Sequence, residues 1–238
     1  FLKYELGVDI LFDLPYEDIL DIFARINSYT VKLQPQEILN ARYVGYFKQT
    51  IFEYGLKYVN YYITGSVITK ANVTRMAEAE MTADLFVALI DSVRTNKGVE
   101  TYYKRYEEEE GPLADAAIQF DEIMSYISEI YPARELANTN WKRPQLFYTL
   151  FVSLGHCLFG LNGLEDAPRT QITLKSIGKI RVLLDEISIK YDIFTEDAQA
   201  EVPLEYKDFI YYTRRGTTDT HARVTRAVFV CNRISSNL

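Results

Sequence analysis

Three groups of residues have the types and spacing to do chemistry. The first lies in "FARINSYTVKLQPQEILNARYVGYFK", residues 23–48, which crowds Arg25, Asn27, Gln36, Glu37, Asn40 and Arg42 into 18 residues. Gln36 and Asn40 are four apart and Glu37 and Asn40 three apart, spacings that share one helix face. Arg25 comes from the end of the preceding helix and approaches them across a turn. A guanidinium, a carboxylate and carboxamides together can hold a nucleotide, a metal-bound water or a phosphate. The same residues also suit an ordinary joint, in which Asn27 ends one helix, Glu37 favours the start of the next and Arg25 pairs with it.

The second group is Glu78, Glu80 and Asp84 in "EAEMTADL". Glu80 and Asp84 share a helix face, and paired carboxylates can bind Mg²⁺ or act as acid and base. The plainer expectation is a solvated face. The acids Glu107 to Glu110 are expected to point around a helix and into solvent.

The third group is the C-terminal "YYTRRGTTDTHARVTRAVFVCNRI", which carries Arg214, Arg215, Arg223, Arg226 and Arg233. On a helix Arg223, Arg226 and Arg233 fall within about 80° of one another. Thr217, Thr218 and Thr220 add hydroxyls near the helix start, where backbone amides also meet anions. This is the best local candidate for a phosphate contact, and the five arginines are candidates for touching DNA. The competing expectation is an arginine face docked on the chain's own carboxylates.

Much chemistry is absent. There is no Gly-rich phosphate loop, Cys-x-x-Cys, His-Glu-x-x-His or Gly-x-Ser-x-Gly. His156 and His221 are too isolated for a zinc cluster, and Cys157 and Cys231 sit in apolar helical contexts that suit buried free thiols in a reducing compartment. A cytoplasmic location is expected. A net charge of −7 argues against coating nucleic acid with the whole surface. No apolar run approaches the ~20 residues that span a bilayer, so no membrane partner is expected.

The elements that must position these groups are helices. With 238 residues, 48% of them hydrophobic, a large core is affordable. The 19 tyrosines suit half-buried helix faces. "FLKYELGVDILF" alternates like a strand, and partners for it are expected in an upstream segment or another molecule. The chain opens inside this pattern without Met, as a piece of a longer protein would. "DLPYEDILDIFARIN" then reads as an amphipathic helix with Pro15 and acidic residues in its first turn. Further helices are expected from Gly45 to Gly55, over about 72–95, through "YYKRYEEEEGP" to Gly111-Pro112, and over the stripe from Leu113 to Ile130. "RPQLFYTLFVSLGHCLFG" is apolar nearly all round and should be the central buried helix. Three amphipathic helices follow, with an exposed loop at 195–203. The expectation is an all-α fold of roughly nine amphipathic helices around one buried helix. The helical domain covers 13–238, and a short N-terminal strand, 1–12, belongs to an upstream α/β domain.

One resemblance adds to this reading. Phe23, Arg25, Ile26, Asn27, Ser28, Leu33, Gln36, Glu37, Asn40 and Ala41 resemble the "F-x-R-I-N-S/T … Q-E-L-R-N-A" pattern of the ParB-like, GmrSD-type domain family. "ARYVGYFK", "TRMAEAEMTADLFVALIDSV", "YYKRYEEEE" and "WKRPQLFYTLF" are similar in order, so the likeness spans about residues 1–160. It implies kinship with nucleotide-dependent DNA restriction and phage-defence proteins. There, a ParB-like domain with an Asp-Gly-Gln-Gln-Arg motif binds and hydrolyses nucleoside triphosphates, with Mg²⁺ as the expected companion. Some members carry a separate nuclease domain. Neither motif is in this chain, so the resemblance makes it the helical portion following the nucleotide domain. Arg25, Asn27, Gln36, Glu37 and Asn40 would then border the nucleotide site. The chain departs from the pattern at Tyr29-Thr30, where members have Gly-Gly, and at Leu39, where they have Arg. The first change keeps the turn farther from a ligand, and the second removes a phosphate contact.

Two further functions fit the residues: a non-catalytic helical module scaffolding a partner nuclease, and a standalone hydrolase working through Glu80 and Asp84.

Overall fold

The computed structural model describes residues 10, 12, 14–28, 33–197 and 199–238, with the helical backbone alone for 23–28. The described residues form an all-α fold. The strand expected at 1–12 falls almost wholly outside them, and no strand occurs among those described. Twelve α-helices are present among them, rather than roughly nine.

The first, α1 (Tyr16–Ser28), starts with Glu17 and Asp18 in its first turn, where the helix dipole favours acids. The Tyr16 hydroxyl donates to the Ala41 carbonyl at the end of α2 (Pro35–Arg42). α3 (Tyr46–Thr64) runs straight through Gly55, where a helix end was expected. Gly55 is buried against the start of α5 (Ala77–Ile90), and a Cβ there would lie 3.5 Å from the Glu78 side chain. The glycine therefore marks a close helix approach. Because 3.5 Å is ordinary contact, Gly55→Ala is expected to stabilise by roughly 0.5–1 kcal/mol through lower unfolded-state entropy. Urea denaturation checks this.

The helix expected over 72–95 is two. Short α4 (Lys70–Val73) is separated from α5 by Met76 in the left-handed region at φ 62°. The expected helix through Glu107–Glu110 ends early, as α6 (Glu100–Arg105). Glu107 leaves the helix to serve another one. Its carboxylate accepts from the Val44 and Gly45 amides, both at 3.0 Å, at the start of α3. Those amides would otherwise lack partners.

The core is built on α7 (Leu113–Ile130) and α9 (Pro144–Phe159), with short α8 (Ala133–Leu136) between them. As expected, α9 is the central helix, buried without a break from Leu146 to Cys157. Its polar residues are satisfied inside: Thr149 donates to the Gln145 carbonyl at 2.9 Å, and the His156 ring lies between the Leu161 and Ala167 carbonyls. Trp141, in the turn just before α9, is buried and donates from Nε1 to the Leu184 carbonyl at 3.0 Å, tying that turn to α10 (Ile177–Glu196). α11 (Leu204–Arg214) and α12 (Thr220–Asn237) close the bundle, with α12 against α9. Cys157 and Cys231 are free and buried.

Candidate functional site

Members of the three sequence groups, far apart in the chain, meet at one pair of adjoining hollows. The larger, about 720 Å³, lies between α2, α5 and the α5–α6 loop, and includes Gln36, Arg42, Asn96 and Lys97 in its lining. The smaller, about 290 Å³, lies between α5, α9 and the start of α12, and includes Tyr148, Thr217, Thr218, Arg223 and Arg226. Glu80, Asp84 and Asn96 line both, so they form the neck between the hollows.

The neck is set by α5. Its acids sit one turn apart, and their fates differ. Asp84 is held by Arg223 through two bonds, Nη1 to Oδ1 at 2.7 Å and Nη2 to Oδ2 at 2.6 Å. Asp84 is thus no solvated face. Burial pushes its carboxyl up, and the Arg223 guanidinium pulls it back. Glu80 keeps solvent contact at the neck, and partial loss of hydration there, with the Asp84 charge, pushes its carboxyl up. Glu78 faces inward with Oε2 unbonded, and burial pushes it up as well.

The sign for the two glutamates follows from linkage. A carboxyl raised on folding contributes most below the ordinary range near pH ~4, and loses that contribution as pH rises through the raised value. Glu78→Gln and Glu80→Gln are therefore expected to be more stable than the parent at pH 7, with the gap closing towards pH ~4. Thermal melts across that range check it.

The C-terminal arginines divide. Arg223 and Arg226 turn inward, at 3% and 0% exposed, so the DNA-facing arginine stripe drawn from helical spacing is corrected for these two. Arg223 Nη1 also donates to the Arg94 carbonyl at 2.8 Å, and its guanidinium carbon lies 4.0 Å from the Tyr148 ring centre. Thr220 Oγ1 accepts from the Thr95 amide at 2.9 Å. Together these clamp the α5–α6 loop, and so Asn96 and Lys97, onto α12. Arg233 pairs with Glu205 at 2.6 Å and stacks on Tyr206. Arg214 and Arg215 are exposed at the end of α11, and among the described residues neither has a carboxylate partner.

At the opening joint, Gln36 is buried and donates to the Tyr103 hydroxyl at 2.7 Å. Glu37 accepts from the Gln34 amide at 2.6 Å and pairs with Arg75 at 2.9 Å; the ordinary-joint expectation had named Arg25 as its partner. Asn40 is half-buried on α2, outside the lining of either hollow. The Arg25 and Asn27 side chains lie outside the described residues. Gln36 and Glu37 thus stitch the joint, while the joint as a whole forms a wall of the larger hollow. Asn72, Asn96, Lys97, Gln145 and Tyr148 complete the site and were not singled out from sequence, because isolated amides and a tyrosine carry no spacing signal.

Both Asp84 oxygens are occupied by Arg223, so the Glu80–Asp84 pair does not offer a divalent cation two carboxylates. Among the described residues no group of three or more His, Cys, Asp or Glu side chains could hold a metal ion. None of the described helices is long and apolar enough to cross a membrane.

The fold and site thus define an all-α domain with a two-chambered cleft that carries charged residues at its neck. No protein-family model matches the chain, and no curated protein or solved structure matches it.

Proposed function

We propose that this chain is the helical portion of a nucleotide-dependent protein of the DNA-restriction or phage-defence kind, and that its two-chambered cleft supports a nucleoside triphosphate beside an upstream ParB-like domain. What carries the reading is convergence. The joint, the α5 acids and the α12 start, the last of them 139 residues from Asp84, line one continuous cleft. Its volume suits a nucleotide-sized ligand, since such sites run from about 300 to 1,000 Å³. The larger chamber has an apolar floor from Ile38, Leu39 and Val99, with carboxamides and cations at its edge. Mg²⁺ would enter with the nucleotide phosphates, not through an Asp84 ligand.

The test is binding of a fluorescent nucleoside triphosphate to the protein and to Arg42→Ala/Lys97→Ala. Both side chains are largely exposed, so the variant should fold. Weaker binding in the variant is expected; equal binding, or none by either, overturns the reading.

DNA contact falls to Arg214 and Arg215. Arg214→Ala/Arg215→Ala is expected to flatten the slope of log affinity against log salt by about two phosphate contacts. An unchanged slope removes this surface from the interface.

A second reading, a helical interaction module that scaffolds a partner nuclease, is favoured by one observation. Ile10, Phe12, Leu14, Tyr16 and Ile19 are all exposed at the N-terminal end. Isolated large apolar side chains are ordinary on a surface, but a run of five within ten residues suits burial against another domain or subunit.

A further inference from the structure

The smaller chamber is lined by two acids, two arginines and two threonines. Glu80 and Asp84 stand at the neck with Arg223 bonded to Asp84; Arg226, one turn further along α12 and bonded to the Thr217 carbonyl, forms the arginine end with Thr217 and Thr218. The arginine end is not electrically balanced. Arg226 is fully buried, yet its bonds all go to uncharged oxygens: Nε to Thr149 Oγ1 at 3.0 Å, Nη1 to the Tyr212 carbonyl at 2.6 Å and Nη2 to the Thr217 carbonyl at 2.8 Å. Among the described residues no carboxylate pairs with it. Arg223 is 3% exposed and spends its two terminal nitrogens on Asp84 and Arg94, while its Nε–H has no acceptor. Two buried guanidiniums therefore share one carboxylate.

A buried cation is costly unless something offsets it. The field shows in Arg226 itself, which burial, and then the Arg223 charge, bring down to about 10. Carbonyl dipoles solvate a guanidinium but do not neutralise it. Thr217 and Thr218 line the same end and offer hydroxyl donors, and the chamber is open at the neck to the larger hollow.

We propose that the arginine end of the smaller chamber is an oxyanion site that takes a phosphate or phosphoryl group. The threonine hydroxyls are its donors, and the buried Arg223 and Arg226 guanidiniums behind them supply the counter-charge. Planar donor forks and hydroxyls are the usual partners of phosphate oxygens. A chamber of about 290 Å³ admits a phosphate and excludes a DNA strand, so these arginines serve a small ligand rather than a nucleic-acid backbone. The proposal rests on the nucleotide reading only for the source of the phosphoryl group.

The experiment titrates the intact chain at fixed ionic strength with inorganic phosphate, a nucleoside and its triphosphate, against chloride, following the thermal midpoint and the heat of binding. Phosphate is expected to raise the midpoint where chloride does not. Glu80→Gln removes the second negative charge of the chamber lining and should tighten phosphate roughly fivefold. Arg226→Met should lose the phosphate response; if it does not fold, the sign of the Glu80→Gln effect decides. A divalent-cation site would give the opposite sign, and that result overturns the proposal. So does an equal midpoint in phosphate and chloride. If phosphate binds and the triphosphate does not, the oxyanion site stands and the nucleotide reading fails. If the triphosphate binds without competing with phosphate, the nucleotide reading stands and this site fails.

Discussion

Asp84→Ala is expected to destabilise the protein by about 3–5 kcal/mol, because it strands Arg223 as an uncompensated buried cation. The pair joins α5 to α12 across 139 residues of sequence with two charge-assisted bonds of 2.7 and 2.6 Å. The same guanidinium holds the Arg94 carbonyl, so the loss also loosens the loop carrying Asn96 and Lys97. Arg223→Met alone is expected to be milder. It leaves Asp84 unpaired, but that carboxyl is already pushed up by burial and can take a proton. The double variant Asp84→Leu/Arg223→Met should recover most of the loss, since apolar replacement of a buried pair is often neutral. Urea denaturation of the cycle measures it. A cost below about 1 kcal/mol for Asp84→Ala would mean that the pair behaves like an exposed one.

Phe120→Ala is expected to cost about 3–5 kcal/mol and to lower the thermal midpoint by roughly 10 °C. Phe120 is fully buried where α3, α5, α7 and α9 meet. Its ring lies 4.9 Å from that of Phe86, 5.0 Å from Phe151, 5.4 Å from Tyr54 and 5.5 Å from Tyr58, centre to centre. Truncation leaves a cavity walled by rings anchored on three other helices, which cannot collapse together. Tyr54 and Tyr58 are fixed further by their bonds to Asp121. Phe120→Leu should lose much less. A Phe120→Ala loss under about 2 kcal/mol would show that the cluster relaxes into the void.

The fold class was legible because helical periodicity survives in one sequence. The stretch "RPQLFYTLFVSLGHCLFG", apolar nearly all round, identified the central helix, and the stripe from Leu113 to Ile130 gave α7 with its observed bounds. The misread elements turned on tertiary contact. Gly55 looked like a helix end and is a packing notch against Glu78. Met76 carries no sequence sign of a left-handed break. Glu107 looked like one of four solvated acids, but caps α3 from 62 residues away.

The site was half legible. Residue type and spacing found Glu80, Asp84, Arg223 and Arg226, yet periodicity gives a helix face and not what that face meets. Asp84 was expected on a solvated face, while Arg223 follows the competing expectation of docking on the chain's own carboxylates; each is the reason the other is buried. Gln36 and Glu37, read either as a ligand border or as an ordinary joint, bond to Tyr103, Gln34 and Arg75, and Gln36 also lines the larger hollow. Nothing local foretold that the joint they stabilise would wall the same cleft as the C-terminal arginines.

The most direct test of the two-chambered cleft is amide hydrogen exchange of the protein with and without a nucleoside triphosphate. The account predicts slowed exchange confined to four separated stretches: 33–42, 80–84, 94–100 and 217–226. Exchange unchanged at saturating nucleotide, or slowed only outside these stretches, would contradict it.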